Sequence, residues 1–187
     1  HGCCRPSAPT MNPPFPPGVY TINNTQPTNY PTGVNFNSFV EAVAVMDCGI
    51  GGAVTFNVAP GTYTEQVRIR RITGASPTSR VTFQSANGNA TSVNLTFDAT
   101  LATSNYTLEL DSAQYITFRG ITITATNATN GRAVEFAGIA SFDSLLNCRV
   151  IAPVGTGTGT TVAGVFGSLV GTNNTIKGNT VIGGTQG

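Results

Sequence analysis

The sequence predicts an all-β chain wound as a parallel β-helix over residues 19–187, closed at its start by one short helix. Three observations predict it. The composition suits strands and turns: only 9% of the 187 residues are charged, and Thr, Val, Asn and Gly abound where a helical protein would carry Lys, Glu, Leu and Ala. The apolar residues fall in many short runs separated by Gly, Asn, Pro and Ser. A two-strand unit also recurs along the chain. Tyr115-Ile-Thr-Phe-Arg-Gly-Ile-Thr-Ile-Thr124, Asp143-Ser-Leu-Leu-Asn-Cys-Arg-Val-Ile-Ala152 and Asn174-Thr-Ile-Lys-Gly-Asn-Thr-Val-Ile-Gly183 each read as strand, polar turn, strand. Aligning the turns places Gly120, Cys148 and Asn179 in register, 28 and 31 residues apart. The preceding runs align as well, 108–110 over 134–136 over 164–166.

A unit of this length with no helices between its strands closes into one coil, and successive coils stack about 4.8 Å apart through strand hydrogen bonds. Leu108, Leu110, Val134 and Phe136 then point inward as core. Glu109 and Glu135 stack on the outer face. Asn147 and Asn179 fall at corners, where their side chains can bond a neighbouring coil.

Taken in order, residues 1–18 hold six of the eleven prolines. Proline fixes φ and lacks an N–H, so this stretch reads as an extended arm. A helix follows over roughly 38–47: Ser38 and Glu41 have the spacing of a capping box. Phe39, Ala42, Val43 and Met46 fall on one face, and Gly49 stops the helix. Its task is to cover the open end of the first coil. Strands are expected at 54–58, 66–69, 81–85, 93–97, 106–110, 115–118, 121–124, 133–136, 144–146, 149–151, 162–166, 174–176 and 180–182.

The charge balance excludes whole function classes. A net charge of +1 built from eight scattered Arg and one Lys makes no nucleic-acid surface. No apolar run reaches the length of a membrane span. The one histidine, His1, leaves no second His for a metal site and would have to serve any Ser-His-Asp or Cys-His centre alone. No metal or cofactor is expected. Cys3, Cys4, Cys48 and Cys148 fit no zinc spacing. In a Lys-poor, Thr- and Asn-rich chain they read as disulfide candidates of a secreted protein, the alternative being buried or free thiols. The last repeat stops without a cap. The expectation is that the chain continues or that another copy covers this end. In the second case Gly18, Val19, Tyr20, Thr21 and Ile22 of one subunit would add a strand beside Thr180, Val181 and Ile182 of the next, in a head-to-tail fibre.

Residues 36–69 carry a family likeness. Phe36-Asn-Ser-Phe-Val-Glu-Ala-Val43, followed by Val54-Thr-Phe-Asn-Val-Ala-Pro-Gly-Thr-Tyr-Thr-Glu-Gln-Val-Arg-Ile69, resembles the opening of pectinesterases and related pectin-lyase-like right-handed β-helices. There a capping helix and first strand precede P-G-x-Y-x-E-x-V. The resemblance covers about 20–187 and implies a right-handed, single-stranded coil. The chain also resembles repeat regions of large bacterial surface proteins exported by the type IX system, through Asp47-Cys48-Gly49 and the segment from Tyr106 to Phe118. That likeness implies a secreted or cell-surface protein.

The pectinesterase likeness implies a test for catalysis. Those enzymes place one Asp in Gln-Asp-Thr and a second in Asp-Phe-Ile-Phe-Gly; neither segment occurs here, and Asp143 is the nearest counterpart. The reading is therefore a non-catalytic structural or adhesive module. The alternatives are a carbohydrate-active enzyme of this class or a glycan-binding module. Glu109 and Glu135 form the best acidic pair, suited to glycosidase chemistry or Ca²⁺. Against that stands a solvated face neutralised by Arg119, Arg132 or Arg149. Glu65 reads as a turn-stabilising acceptor. Arg68, Arg70 and Arg71 form the densest positive cluster and, with Tyr63, Tyr115 and Tyr106, are candidate contacts for an extracellular polysaccharide. Asn23, Asn89, Asn94, Asn105, Asn127 and Asn173 begin N-glycosylation sequons, and Ser112 and Ser144 match a bacterial O-glycosylation pattern.

Overall fold

In the computed structural model, which describes residues 13–154, 160–168 and 171–184, a parallel ladder joins each strand to the one a full coil away. The described residues form β1 (Gly18–Ile22), β2 (Asn35–Phe36), α1 (Phe39–Ala44), β3 (Val54–Val58), β4 (Gly61–Thr64), β5 (Val67–Arg70), β6 (Val81–Ser85), β7 (Val93–Phe97), β8 (Tyr106–Asp111), β9 (Ile116–Arg119), β10 (Thr122–Ala125), β11 (Gly131–Ala137), β12 (Ser144–Leu146), β13 (Arg149–Ile151), β14 (Val162–Gly167), β15 (Thr175–Lys177) and β16 (Thr180–Ile182). They make three parallel sheets, ordered β15-β12-β9-β6-β3-β1-β2, β16-β13-β10-β7-β4 and β14-β11-β8-β5. One strand from each sheet makes a coil, so β6, β7 and β8 are one turn of the chain and β9, β10 and β11 the next.

The core runs along the axis as columns of inward residues. One column reads Tyr20, Phe56, Phe83, Phe118, Leu145, Ile176. Its rings stack face to face: Phe56 and Phe83 lie 5.0 Å apart at 14°, Phe83 and Phe118 4.9 Å apart at 15°. The ring spacing equals the coil rise, so each ring meets its neighbour without bending the backbone.

The sequence register needs two corrections. Gly120 faces Asn147, and Cys148 faces Ile121, because Arg119 pairs with Leu146 and Thr122 with Arg149. In the next coil Cys148 does face Asn179. The corner is pinned by backbone: Gly120, Asn147 and Gly178 share one position and all have φ near +60, a conformation a turn alignment by residue type does not see. The 108–110 and 134–136 runs pair as expected, Glu135 against Glu109. The third run slides by one, since Val165 rather than Gly164 pairs with Val134.

The first coils are closed from several sides. Phe15 is buried and bridges Ile50, so the end of the Pro-rich arm belongs to the core. β1 lies between β3 and β2 of its own chain. Thr21 and Ile22 are therefore paired on both sides, and Gly18, Val19 and Tyr20 are paired with β3, so the strand is already built into its own sheet and is not a free strand for another subunit. The cause is their alternation, which sends Tyr20 and Ile22 inward.

Helix α1 is shorter than its pattern, ending at Ala44 and continuing as turns to Gly49 at φ +89. Phe39, Ala42 and Met46 are buried as expected, and Val43 is half-buried. The Ser38 hydroxyl accepts the Glu41 N–H at 3.1 Å, but the Glu41 carboxylate accepts from Asn37 N (3.2 Å) and the Thr28 hydroxyl, not from Ser38 N. Glu65 completes the cap: its two oxygens accept the N–H groups of Phe39 (3.1 Å) and Val40 (2.9 Å). Burial pushes the Glu65 carboxyl up, and those two N–H donors pull it back.

At the other end β15 and β16 are exposed throughout. Ile176, Val181 and Ile182 are 52%, 50% and 43% exposed.

Candidate functional site

The sheet of β5, β8, β11 and β14 carries most of the charge that meets across coils. Alternation along each strand sends Leu108, Leu110, Val134 and Phe136 into the core and Glu109 and Glu135 outward. Register then builds the column Arg68, Glu109, Glu135, Phe166 and, beside it, Arg70, Asp111, Ala137. Arg68 joins two carboxylates: its Nε lies 2.6 Å from Glu109 Oε2 and its Nη2 donates to Asp111 Oδ2 at 2.7 Å. Arg132 Nη1 donates to Glu135 Oε2 at 2.9 Å, its Nε donates to the Thr160 carbonyl at 2.8 Å, and its guanidinium lies 3.6 Å from the centre of the Phe166 ring.

The two glutamates were expected on a solvated face, yet Glu109 is 8% and Glu135 6% exposed. Arginine stems and Phe166 shield them. Burial pushes the Glu109 carboxyl up from its ordinary value; Arg68 opposes this, and Glu135 one coil away adds to it. Of the three expected partners, Arg132 is the one in contact. Arg119 lies on β9 and Arg149 on β13, which belong to other sheets. Arg68 and Asp111 were missed as partners, because their meeting depends on a register 41 and 43 residues apart that no local pattern encodes.

Beside this column, Arg68, Arg70 and Arg71 line a groove of about 380 Å³ against α1, together with Asp47, Met46 and Ile72. The Arg70 side chain is 72% exposed. Tyr63 is not at the surface: it is 2% exposed, stands edge-on to Phe39, and its hydroxyl donates to the carbonyls of Ile22 (3.1 Å) and Ala59 (2.9 Å). The Y of the P-G-x-Y segment is a core residue that ties the first coils together, which removes Tyr63 as a glycan contact. Tyr106 is also buried. Tyr115 is half-buried, stacked on Phe142 at 5.1 Å and 13°, with Arg80 over its ring.

No protein-family profile matches the chain, and no curated protein does. Among solved structures it is similar to the crystal structure of a pectin methylesterase from Aspergillus niger, with a TM-score of 0.59 and 15% identity. The match covers 95% of this chain and 52% of that one. The chain has the pectin-lyase-like parallel β-helix fold. It spans about half the length of that enzyme, and at this identity the likeness concerns the fold alone.

Within this pectin-lyase-like stack, Asp143 occupies a coil corner and is 0% exposed. Its Oδ1 accepts the Ile116 N–H at 2.8 Å, and its Oδ2 is buried without a hydrogen-bond partner. A carboxylate enclosed in this way has no path to a polysaccharide ester, which removes it as a nucleophile in the folded chain.

Cys148 is likewise inside the coil stack, a buried free thiol that donates to the Leu146 carbonyl at 3.4 Å. Its register neighbours are Ile121 and Asn179, so no sulfur stands opposite it; this corrects its place among the disulfide candidates. Cys48 is half-buried, in a groove it shares with Pro13, Pro14 and Tyr30. Cys3 and Cys4 lie outside the described residues.

The glycosylation candidates divide by burial. Asn89 and Asn173 are exposed, and Asn23, Asn94 and Asn127 half-buried. Asn105 is 3% exposed and donates to the Thr161 carbonyl at 3.2 Å, so the folded coil withholds it from a transferase. Ser112 and Ser144 are half-buried, and the Ser144 hydroxyl accepts from Arg80 at 3.3 Å. No helix among the described residues is long and apolar enough to cross a membrane.

Proposed function

We propose that this chain is a non-catalytic module of an extracellular or cell-surface protein, a rigid β-helix that carries structure or adhesion rather than turnover. One observation carries the reading. On the charged sheet face, Glu109, Glu135 and Asp111 are each engaged by arginine, and Asp143 is sealed in the corner. A hydrolase of this kind needs a carboxylate that can reach substrate and change its protonation during the reaction. Here Glu109 and Asp111, through Arg68, and Asp143, through the Ile116 N–H, act as cross-coil ties, while Glu135 is held by Arg132 of its own strand.

The test is turnover. Purified chain incubated with methyl-esterified and de-esterified pectins, and with a broad polysaccharide panel, is expected to release no methanol, reducing ends or unsaturated products. Release that disappears in Glu109→Gln or Glu135→Gln overturns the proposal.

A second reading rests on the groove along α1. Arg70 and Arg71 are exposed there beside Arg68, a charge pattern suited to an acidic polysaccharide. Binding of polygalacturonate, weakened by salt and by the Arg70→Ala/Arg71→Ala double variant, supports that form of the module. Equal binding by wild type and double variant removes it.

A further inference from the structure

The coil corners contain a repeated side-chain bracket, and one copy of it has the wrong atom. Asn174 Oδ1 accepts the Asp143 N–H at 3.0 Å while its Nδ2 donates to the Ala140 carbonyl at 2.8 Å. Asn179 does the same at the next corner: its Oδ1 accepts the Cys148 N–H at 2.8 Å and its Nδ2 donates to the Leu145 carbonyl at 2.8 Å. In both, the amide spans one N–H of the coil below and the carbonyl three residues before it. An asparagine fits because it offers one acceptor and one donor on a planar group.

Asp143 stands in the same slot one coil earlier. Ser144 pairs with both Thr117 and Thr175, which sets Asp143 over Ile116 and under Asn174. Its Oδ1 makes the acceptor half of the bracket, to the Ile116 N–H. The carbonyl three residues before Ile116 belongs to Ala113, and the bridge between Gln114 and Ser141 makes Ala113 the register counterpart of Ala140. The remaining oxygen, Oδ2, is the buried atom without a partner. An ionised carboxylate brings only acceptors to a place where the bracket calls for a donor. A carboxylic acid supplies the missing O–H.

We infer that Asp143 is a proton-binding corner bracket: as the neutral acid it completes the same two-point tie that Asn174 and Asn179 make, and its ionisation loosens the coil corner. Burial pushes its carboxyl up to about 7, against the pull of the Ile116 N–H and of Arg80. Arg80, half-buried ahead of β6, is the charge that faces this corner, and its Nη2 donates to the adjoining Phe142 carbonyl at 2.7 Å. On the coil below, the titratable group is the Tyr115 phenol. From the coil above, Asn174 is uncharged. The group therefore titrates close to neutrality, and the strength of this corner depends on the acidity of the surroundings.

The sign follows from linkage. The folded chain holds this proton more tightly than the unfolded chain does, so its stabilising effect is complete below the unfolded carboxyl value. It fades as pH rises and is gone above about 7. Asp143→Asn supplies the amide donor at every pH. Unfolding of wild type and Asp143→Asn is followed by denaturant titration between pH 4 and pH 8.5. The expected result is that the variant is the more stable above pH 7, and that the ratio of their unfolding constants grows by up to about tenfold per pH unit up to that point. A ratio that stays flat with pH, or a variant weaker than wild type at pH 8.5, overturns the inference. If Asp143→Asn fails to fold, the carboxyl carbon of Asp143 is titrated by NMR in wild type. A midpoint well above ordinary aspartate supports the bracket; a midpoint near 4 overturns it.

Discussion

At its first coils the stack ends on a helix and a nest of rings; at its last described coil it ends on bare strands. The two ends are made from the same repeating backbone. One core column shows the difference: it begins at Tyr20 and Phe56, both buried, and finishes at Ile176, half out in solvent. Near the start, Phe15, Tyr20, Tyr30, Phe36 and Phe56 pack ring against ring at centroid distances from 4.6 to 6.3 Å. α1 lies over the edge of β5, and Glu65 ties its first turn to the coil below. At the far end β14, β15 and β16 each lie at the edge of a sheet. A coil inside the stack has hydrogen-bond partners on both sides, whereas a terminal coil must be covered by something other than its repeat. The first end receives that cover from nonrepeating sequence.

Four substitutions would sharpen or break this contrast. Phe83→Ala removes a fully buried ring between two stacked neighbours and is expected to cost about 3–5 kcal/mol in denaturant unfolding. A loss below about 1 kcal/mol would mean that the column is not the common support of both ends. Arg132→Ala leaves Glu135 buried without its cation and uncovers Phe166. About 3 kcal/mol is expected, and the companion Arg132→Ala/Glu135→Gln variant should recover part of it. If the double variant is the weaker of the two, Glu135 is not held in check by Arg132.

Glu65→Ala frees two helix N–H groups at the closed end and should cost about 1–2 kcal/mol. The check is hydrogen exchange at Phe39 and Val40, which should accelerate while β9–β13 stay protected. Ile176→Ala lies in the same column as Phe83 but at the exposed end, and a change under about 0.5 kcal/mol is expected by calorimetry. A large loss there would show that the end is covered in solution and that the contrast is false.

Much of the fold was legible because strand and turn signals are local. β3, β6, β7, β12, β13 and β16 fall on their predicted ranges. β4 was missed because Pro60 and Gly61 read as a loop, although Tyr63 within it is one of the most buried residues. β2, two residues long, has no periodicity to detect. The charged site was half legible. The stacking of Glu109 on Glu135 followed from the repeat. Their burial did not, because it depends on Arg68 arriving from another coil over Glu109 and on Arg132 folding back over Glu135 beside Phe166.

The sequence alone determined the coil. Strand-length apolar runs, turn residues between them and a repeat of one coil's length leave little else for the chain to build. The tertiary structure decided what depends on register to within one residue. It matched Arg68 to Glu109 and Asp111, sealed Asp143 beneath Asn174, sent Tyr63 inward and placed β1 inside its own sheet. A shift of one residue turns a strand's side chains to the opposite face, and the backbone turned at Gly120, Asn147 and Gly178 sets that register by conformation rather than by residue type.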